Sequence, residues 1–249
     1  MKRWYEISKN PNVPEVKLAR QQQLLAARSE SLISDRIFYL SELVRGKDVL
    51  DVGVVAHDAD MINDGTWLHK HLFESAKTCL GVDILDEDVD KLRKHGFNVI
   101  CADIIKEPLK QKFDVIVCGE VLEHVDAPGH LLAACAKMLN HGGRLIVTVP
   151  NPWYVGYMMK NILNGPPLED NVDHVAWFDP CTLCELGERQ GLVMDSFKGI
   201  RHSEHNQQFT LLKKIVFGLT PLFVAMGLRA ELFGKTMIYE FVLDLNQSS

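Results

Sequence analysis

Carboxylates close four short apolar runs in this chain. Asp51 ends VLD ahead of Val52-Gly53, Asp83 ends TCLGVD, Asp103 ends FNVICAD, and Glu120 follows Gly119 at the end of KFDVIVCG. If those runs are strands of an open parallel sheet, their tips meet at one crevice, where such sheets bind ligands. A carboxylate after the second run can accept hydrogen bonds from both hydroxyls of a ribose. One after the third can accept from the amino group of an adenine. Gly53 has no Cβ, so the main chain there can approach a ligand closely. A second reactive set begins at the same place. Glu120, Glu123 and His124 form an ExxEH, and His174 follows in VDHVAWF. Imidazole titrates near neutral pH, which makes His124 and His174 candidate general bases. The remaining histidines, His69 and His71 included, read as surface or structural residues.

These groups need a scaffold, and the chain has the pattern for one. Residues 16–44 are rich in helix formers and predict one or two N-terminal helices. Strands are predicted at 47–53, 78–83, 97–103, 112–119 and 143–150, with helices at 67–77, 86–96 and 130–139 between them. Asp126 is a candidate cap for the 130–139 helix, and Asn140-His141-Gly142-Gly143 reads as the turn after it. The 86–96 segment starts acidic, ends basic and closes on Gly96, as a helix dipole and its C-terminal cap prefer. A helix starting near Asp179-Pro180 and ending at Gly191 precedes two final strands, 192–199 and 235–245. Alternating strands and helices call for an α/β fold: a Rossmann-like, seven-stranded, mostly parallel sheet with helices on both faces.

The chain has 249 residues, 47% hydrophobic and 24% charged, which is enough for one large α/β domain. We expect a single domain over 1–249, with N-terminal helices in 1–45 and an apolar insertion at 207–234 between the last two strands. The net charge of −6, with no dense Lys/Arg block, argues against a nucleic-acid partner. MKRWYEISKNPNVPEVK has no apolar core of a secretory signal. Six scattered cysteines suit a reduced, cytoplasmic protein, and the lone CxxC of Cys181 and Cys184 has no second pair to complete a zinc site.

The run VLDVG (49–53), GVDI (81–84), ADI (102–104), FDVIVCGEVLEHV (113–125) and GGRLIVTVPN (142–151) resembles the class I S-adenosylmethionine-dependent methyltransferases over roughly residues 45–200. Among them it is most similar to the ubiquinone-biosynthesis O-methyltransferase group. The resemblance implies S-adenosylmethionine as cofactor and a last strand inserted antiparallel beside the fifth. Asp51 and Gly53 would line its methionine end, Asp83 the ribose, Asp103 and Ile104 the adenine, and Glu120 the region beneath the methyl group. Val54, Ile84 and Gly119 complete that binding set. In one respect the chain departs from the pattern. The family usually has DxGxGxG, whereas this chain reads Asp51-Val-Gly-Val-Val-Ala-His-Asp58, followed by a long loop to Trp67. Either the small Ala56 substitutes for a glycine or the loop swings wide. A non-catalytic binding protein that kept the fold is the alternative reading.

The family also bears on the second set. In ubiquinone-biosynthesis O-methyltransferases and small-RNA 2′-O-methyltransferases, a similar ExxEH with a later His holds a divalent metal against the acceptor hydroxyls. The resemblance implies Glu120, Glu123, His124 and His174 as ligands here, the imidazoles favouring Mn²⁺, Fe²⁺ or Zn²⁺. The alternative is that a histidine acts as plain general base while Glu123 and His124 shape a short helix.

Two loops are unusually apolar, 152–165 and 209–234. The second lacks charge between Lys214 and Arg229 but is interrupted by Gly218, Pro221 and Gly227, and it falls short of the roughly 20 residues that span a bilayer. It suits a cover over the site, a homodimer surface or a peripheral membrane contact. A greasy lid fits a small-molecule acceptor that is lipid-linked or quinone-like, with a saccharide hydroxyl as the second class.

Overall fold

Alternation of side chains along the strands gives this sheet two apolar faces, each covered by its own helices. The computed structural model describes residues 3–55, 59–63, 65–164, 171–201 and 218–244. The strands are β1 (Asp48–Val52), β2 (Thr78–Asp83), β3 (Val99–Cys101), β4 (Phe113–Gly119), β5 (Leu139–Pro150), β6 (Leu192–Ile200) and β7 (Thr236–Leu243). They lie in the order β3-β2-β1-β4-β5-β7-β6. β1 to β5 pair in parallel, and β7 runs antiparallel between β5 and β6. The strand order reverses between β1 and β4, so their tips flank the crevice where open sheets bind ligands.

On one face, Leu50, Val52, Ile116, Cys118, Leu145 and Val147 pack against α6 (Pro128–Met138) and α8 (Pro180–Arg189). On the other, Val49, Val115, Val117 and Ile146 pack against α3 (Arg36–Val44) and α4 (Leu68–Ser75). Asp51, between Leu50 and Val52, therefore points to the α3/α4 side. α5 (Asp86–Lys94) covers the outer edge, where Val89 and Leu92 meet Val54, Trp67 and Val99. Its acidic first turn and basic last turn match the expected dipole pattern, and Gly96 closes it at φ +90°.

The predicted order of elements holds, and the antiparallel last strand lies beside the fifth as the resemblance implied. Several boundaries differ. The N-terminal region holds α2 (Pro14–Ala27) as well as α3, and a further turn of helix, α1 (Trp4–Ile7), precedes them. Arg3 ties this start to the far end of the chain through Asp244 at 2.8 Å, and Arg20 of α2 pairs with Glu185 and Glu188 of α8 at 2.7 and 2.8 Å. The third strand is only three residues long. Asp126 does not cap α6: Ala127 holds the cap position without a side-chain bond, and Pro128 fixes the first turn instead. Asp179 does cap α8, accepting from the amides of Cys181 and Thr182. The predicted 140–143 turn lies inside β5, whose pairing with β4 shifts register between Phe113 and Val115 while Asn140 donates to Asp114 at 2.8 Å.

The apolar loop after β5 contains a helix, α7 (Val155–Asn164). Of the 207–234 insertion, residues 218–234 are described. They form α9 (Thr220–Ala225) and a 3-10 turn at Ala230–Phe233, joined by stacked Phe223 and Phe233 rings. No helix among the described residues is long and apolar enough to cross a membrane.

Candidate active site

At the tip of β1 the chain turns sharply. Gly53 has φ +77°, and a Cβ built there would lie 2.3 Å from Val121 Cγ2. Only glycine fits, in both backbone and space. The Gly53 amide donates to the Val82 carbonyl at 2.8 Å, and the Val55 amide donates to Asp83 Oδ2 at 2.9 Å. Asp83 Oδ1 accepts from the amides of Ile84 and Leu85 at 2.7 and 3.2 Å. Asp83 thus stands at the tip of β2, joined to the turn after β1. Ile84 is 69% exposed beside it.

At the next tip, Asp103 accepts from the amides of Ile105 and Lys106 and pairs with the Lys106 ammonium at 2.8 Å. The Lys106 bonds hold its carboxyl below the usual carboxylate range. Ile104 is packed in the core, so little of its side chain faces outward. Ala56, for which a glycine-like role was considered, lies outside the described residues, as do His57 and Asp58.

Glu120, just past Gly119 at the tip of β4, has a left-handed backbone at φ +55°. For a residue with a side chain this conformation stores of the order of 1–3 kcal/mol and concentrates at functional sites. Its amide donates to the Thr148 carbonyl, and its carboxylate lies 3.1 Å from Arg36 of α3 and accepts from the Thr236 hydroxyl at 3.1 Å. Burial works to raise this carboxyl, but the Arg36 and Lys235 charges and the Thr236 bond outweigh it, so the group sits below the usual range.

One turn further on, a 3-10 turn at Leu122–His124 carries the second set. One ligand atom each from Glu123, His124 and His174 lies within 4.8 Å of the others. The His124 and His174 rings meet edge to face at 4.7 Å, and the Val175 amide donates to the Glu123 carbonyl, tying the His174 segment to the turn. His124 Nδ1 lies 3.1 Å from Asp173 Oδ2. Glu123 is 1% exposed, and neither carboxylate oxygen meets a hydrogen-bond partner among the described residues. Burial pushes this carboxyl up to about 8. Glu120 is not in this group, because Arg36 and Thr236 hold its carboxylate. Among the described residues, the candidate group is therefore Glu123, His124 and His174, without the Glu120 expected from the sequence.

The site thus combines a glycine-only turn, a carboxylate at the second strand tip and an acid–imidazole cluster beside the switch point, on the strand order given above. A family model for the methyltransferase domain matches residues 24–196. The chain belongs to that family. Its donor is accordingly S-adenosylmethionine.

This methyltransferase is 26% identical over 183 residues to a ubiquinone biosynthesis O-methyltransferase of Aeromonas salmonicida, covering 68% of this chain and 73% of the relative. It is 27% identical over 194 residues to the protein of that name in Coxiella burnetii, covering 72% and 79%. Among solved structures it is similar to an S-adenosylmethionine-dependent methyltransferase from Archaeoglobus fulgidus, with a TM-score of 0.54, 16% identity, and coverage of 90% and 93%. It is also similar to magnesium protoporphyrin IX methyltransferase from Synechocystis with bound S-adenosylhomocysteine, with a TM-score of 0.52, 16% identity, and coverage of 97% and 93%.

Sequence reasoning missed four contributors. Arg36 and Thr236 reach Glu120 from α3 and β7, remote in sequence. His69, read as a surface or structural residue, is structural: it is 1% exposed, and its Nδ1 lies 2.9 Å from Asp51 Oδ2. No local pattern marks these contacts. Asp173, adjacent to His174, was the one partner that proximity could have flagged.

Proposed function

We propose that this methyltransferase transfers its methyl group to a hydroxyl oxygen of a small-molecule acceptor, with Glu123, His124 and His174 at the acceptor end. The observation that carries this reading is Glu123: a buried carboxylate with both oxygens unpartnered among the described residues, beside two imidazoles. Burying such a group is costly unless something compensates it. A divalent cation would do so, and the donor set fits one. Mn²⁺, Fe²⁺ or Zn²⁺ suit imidazole better than Mg²⁺ does. The Asp173 contact to His124 Nδ1 is the usual way a ligating imidazole is oriented. The metal, when bound, lowers the pKa of an acceptor hydroxyl.

S-Adenosylmethionine, when bound, presents its methyl group on a sulfonium for in-line attack. The remaining tasks belong to the chain. Gly53 and Asp83 orient the donor by close main-chain approach and by carboxylate acceptance. The acceptor hydroxyl loses its proton as the new carbon–oxygen bond forms; without a metal, His124 or His174 is placed to take it as a general base. Tyr157 and Trp177 meet edge to face at 5.7 Å, and Trp177 stands 6.5 Å from His174, an aromatic flank suited to a planar or apolar acceptor. Met158, Met159, Ile162 and Leu163 of α7 and Leu222, Met226 and Leu228 of the insertion are exposed apolar side chains. The curated relatives' names support oxygen as the methylated atom, and a quinone-like, lipid-linked acceptor fits the apolar flank better than a saccharide.

The test is turnover with S-adenosylmethionine and matched panels of alkylated catechols and sugars, with products identified by mass spectrometry. Mn²⁺, Mg²⁺ or a chelator is added to parallel reactions. Catechol O-methylation that a chelator abolishes and Mn²⁺ restores supports the reading in full. Methylation that ignores both additions leaves the imidazoles as bases without a metal, and methylation of sugars alone overturns the quinone-like acceptor.

A further inference from the structure

The turn after β1 lacks two of the family's three glycines, yet it is held at three points. The Trp67 indole N–H donates to the Val54 carbonyl at 2.9 Å, the Val55 amide donates to Asp83, and His69 Nδ1 lies 2.9 Å from Asp51 Oδ2. Two of these holds come from the start of α4. Asp51 and His69 are 3% and 1% exposed. A carboxylate only accepts, so the Nδ1–H donates. The His69 Nε2 is buried without a hydrogen-bond partner among the described residues.

The imidazole sits beside the Trp67 and Phe97 rings, at 5.3 and 5.8 Å between centroids. It also needs Gly81 of β2, where a built Cβ would lie 2.8 Å from His69 Cε1. A leucine would fill this apolar space without burying an unsatisfied nitrogen. What histidine adds is one N–H aimed at Asp51.

We propose that His69 is a positioning residue for donor binding. It commits one oxygen of Asp51 and fixes that carboxylate's orientation at the tip of β1, leaving the other oxygen to meet the donor's ammonium group. Trp67, two residues earlier, holds the main chain of the same turn. The first turn of α4 thereby does with side chains what glycines do elsewhere in the family. This rests on the reading of Asp51 as a donor-site residue.

The test is calorimetric titration with S-adenosylhomocysteine, with thermal melting recorded for every variant. Folded His69→Leu should bind roughly tenfold or more weakly, the worth of a hydrogen bond to a charged group. His69→Asn places a side-chain N–H where Nδ1 stood and should bind within about threefold of the parent, since the same bond is kept. Trp67→Phe keeps the ring, loses the N–H and should weaken binding by roughly fivefold, the worth of one neutral hydrogen bond. In an Asp51→Ala background, His69→Leu should add no further loss, because the two residues act as one unit.

Parent-like affinity in folded His69→Leu, or an equal loss with and without Asp51, overturns the proposal. If His69→Leu does not fold, affinity in His69→Asn as weak as in His69→Ala overturns it instead. Failure of the unaltered protein to bind S-adenosylhomocysteine sinks the donor reading itself, an outcome separate from any difference among variants.

Discussion

Arg36, the first residue of α3, stands 3.1 Å from Glu120 at the tip of β4. The same carboxylate accepts from the Thr236 hydroxyl at 3.1 Å, so helix α3 and strand β7 together hold Glu120 at the tip of β4.

That pair should leave a signature in acid. The folded-state value of Glu120 is depressed, so its stabilising contribution is complete above the ordinary value of about 4.3 and disappears as pH falls through the lower folded value. Denaturation midpoints measured from roughly pH 6 down to pH 3 should therefore drop more steeply for the parent than for Arg36→Met. The side chains are partly exposed, so the difference should be modest and should shrink further in high salt. Parallel pH profiles for the two proteins would remove the pair as a source of stability.

Gly53→Ala should damage both folding and donor binding. The left-handed backbone alone costs a residue with a Cβ about 1–2 kcal/mol, and the new methyl group would collide with Val121. Adding Val121→Ala should relieve the collision but leave the backbone cost. Melting temperature and S-adenosylhomocysteine affinity should then recover only in part.

Glu123→Gln and His174→Ala should each lower turnover by roughly 10²–10⁴-fold, the usual worth of a positioned acid–base group. Affinity for S-adenosylhomocysteine should stay near that of the parent, because neither residue stands at the tips of β1 or β2. Comparable losses of turnover and donor affinity would assign these residues to the donor pocket.

Arg20→Met should destabilise the protein without altering turnover per folded molecule. Arg20 pairs with Glu185 and Glu188, and Gln23 adds a bond to Glu188 at 2.6 Å. Removing Arg20 leaves the largely buried Glu188 carboxylate without a cation, an effect of up to about 3 kcal/mol, while Glu185 keeps Arg189 and Trp4. Urea denaturation measures the change directly, and adding Glu188→Gln to Arg20→Met should recover part of it.

Much of the row of strand tips could be read before any coordinates. Asp51, Asp83, Asp103 and Glu120 are legible because a buried parallel strand is a short apolar run and its tip is the next polar residue. The dipole-matched α5 and the Asp179 cap are legible for a similar reason, since their physics lies within a few residues of sequence. α7 was less legible: its Met, Ile and Tyr residues lie in a segment with no cap and no charged face to mark its ends. Asp126 misled because Pro128 made a side-chain cap unnecessary.

The sequence by itself determined the strand tips, the parallel order and the presence of acid and imidazole after β4, since these follow from local periodicity and residue chemistry. Only the tertiary structure decided the partners. Arg36 meets Glu120, His69 meets Asp51, and Thr236 arrives from the last strand because crossovers and an antiparallel insertion bring distant segments to one edge of the sheet. Those pairings depend on the register between elements, which no short stretch of chain encodes.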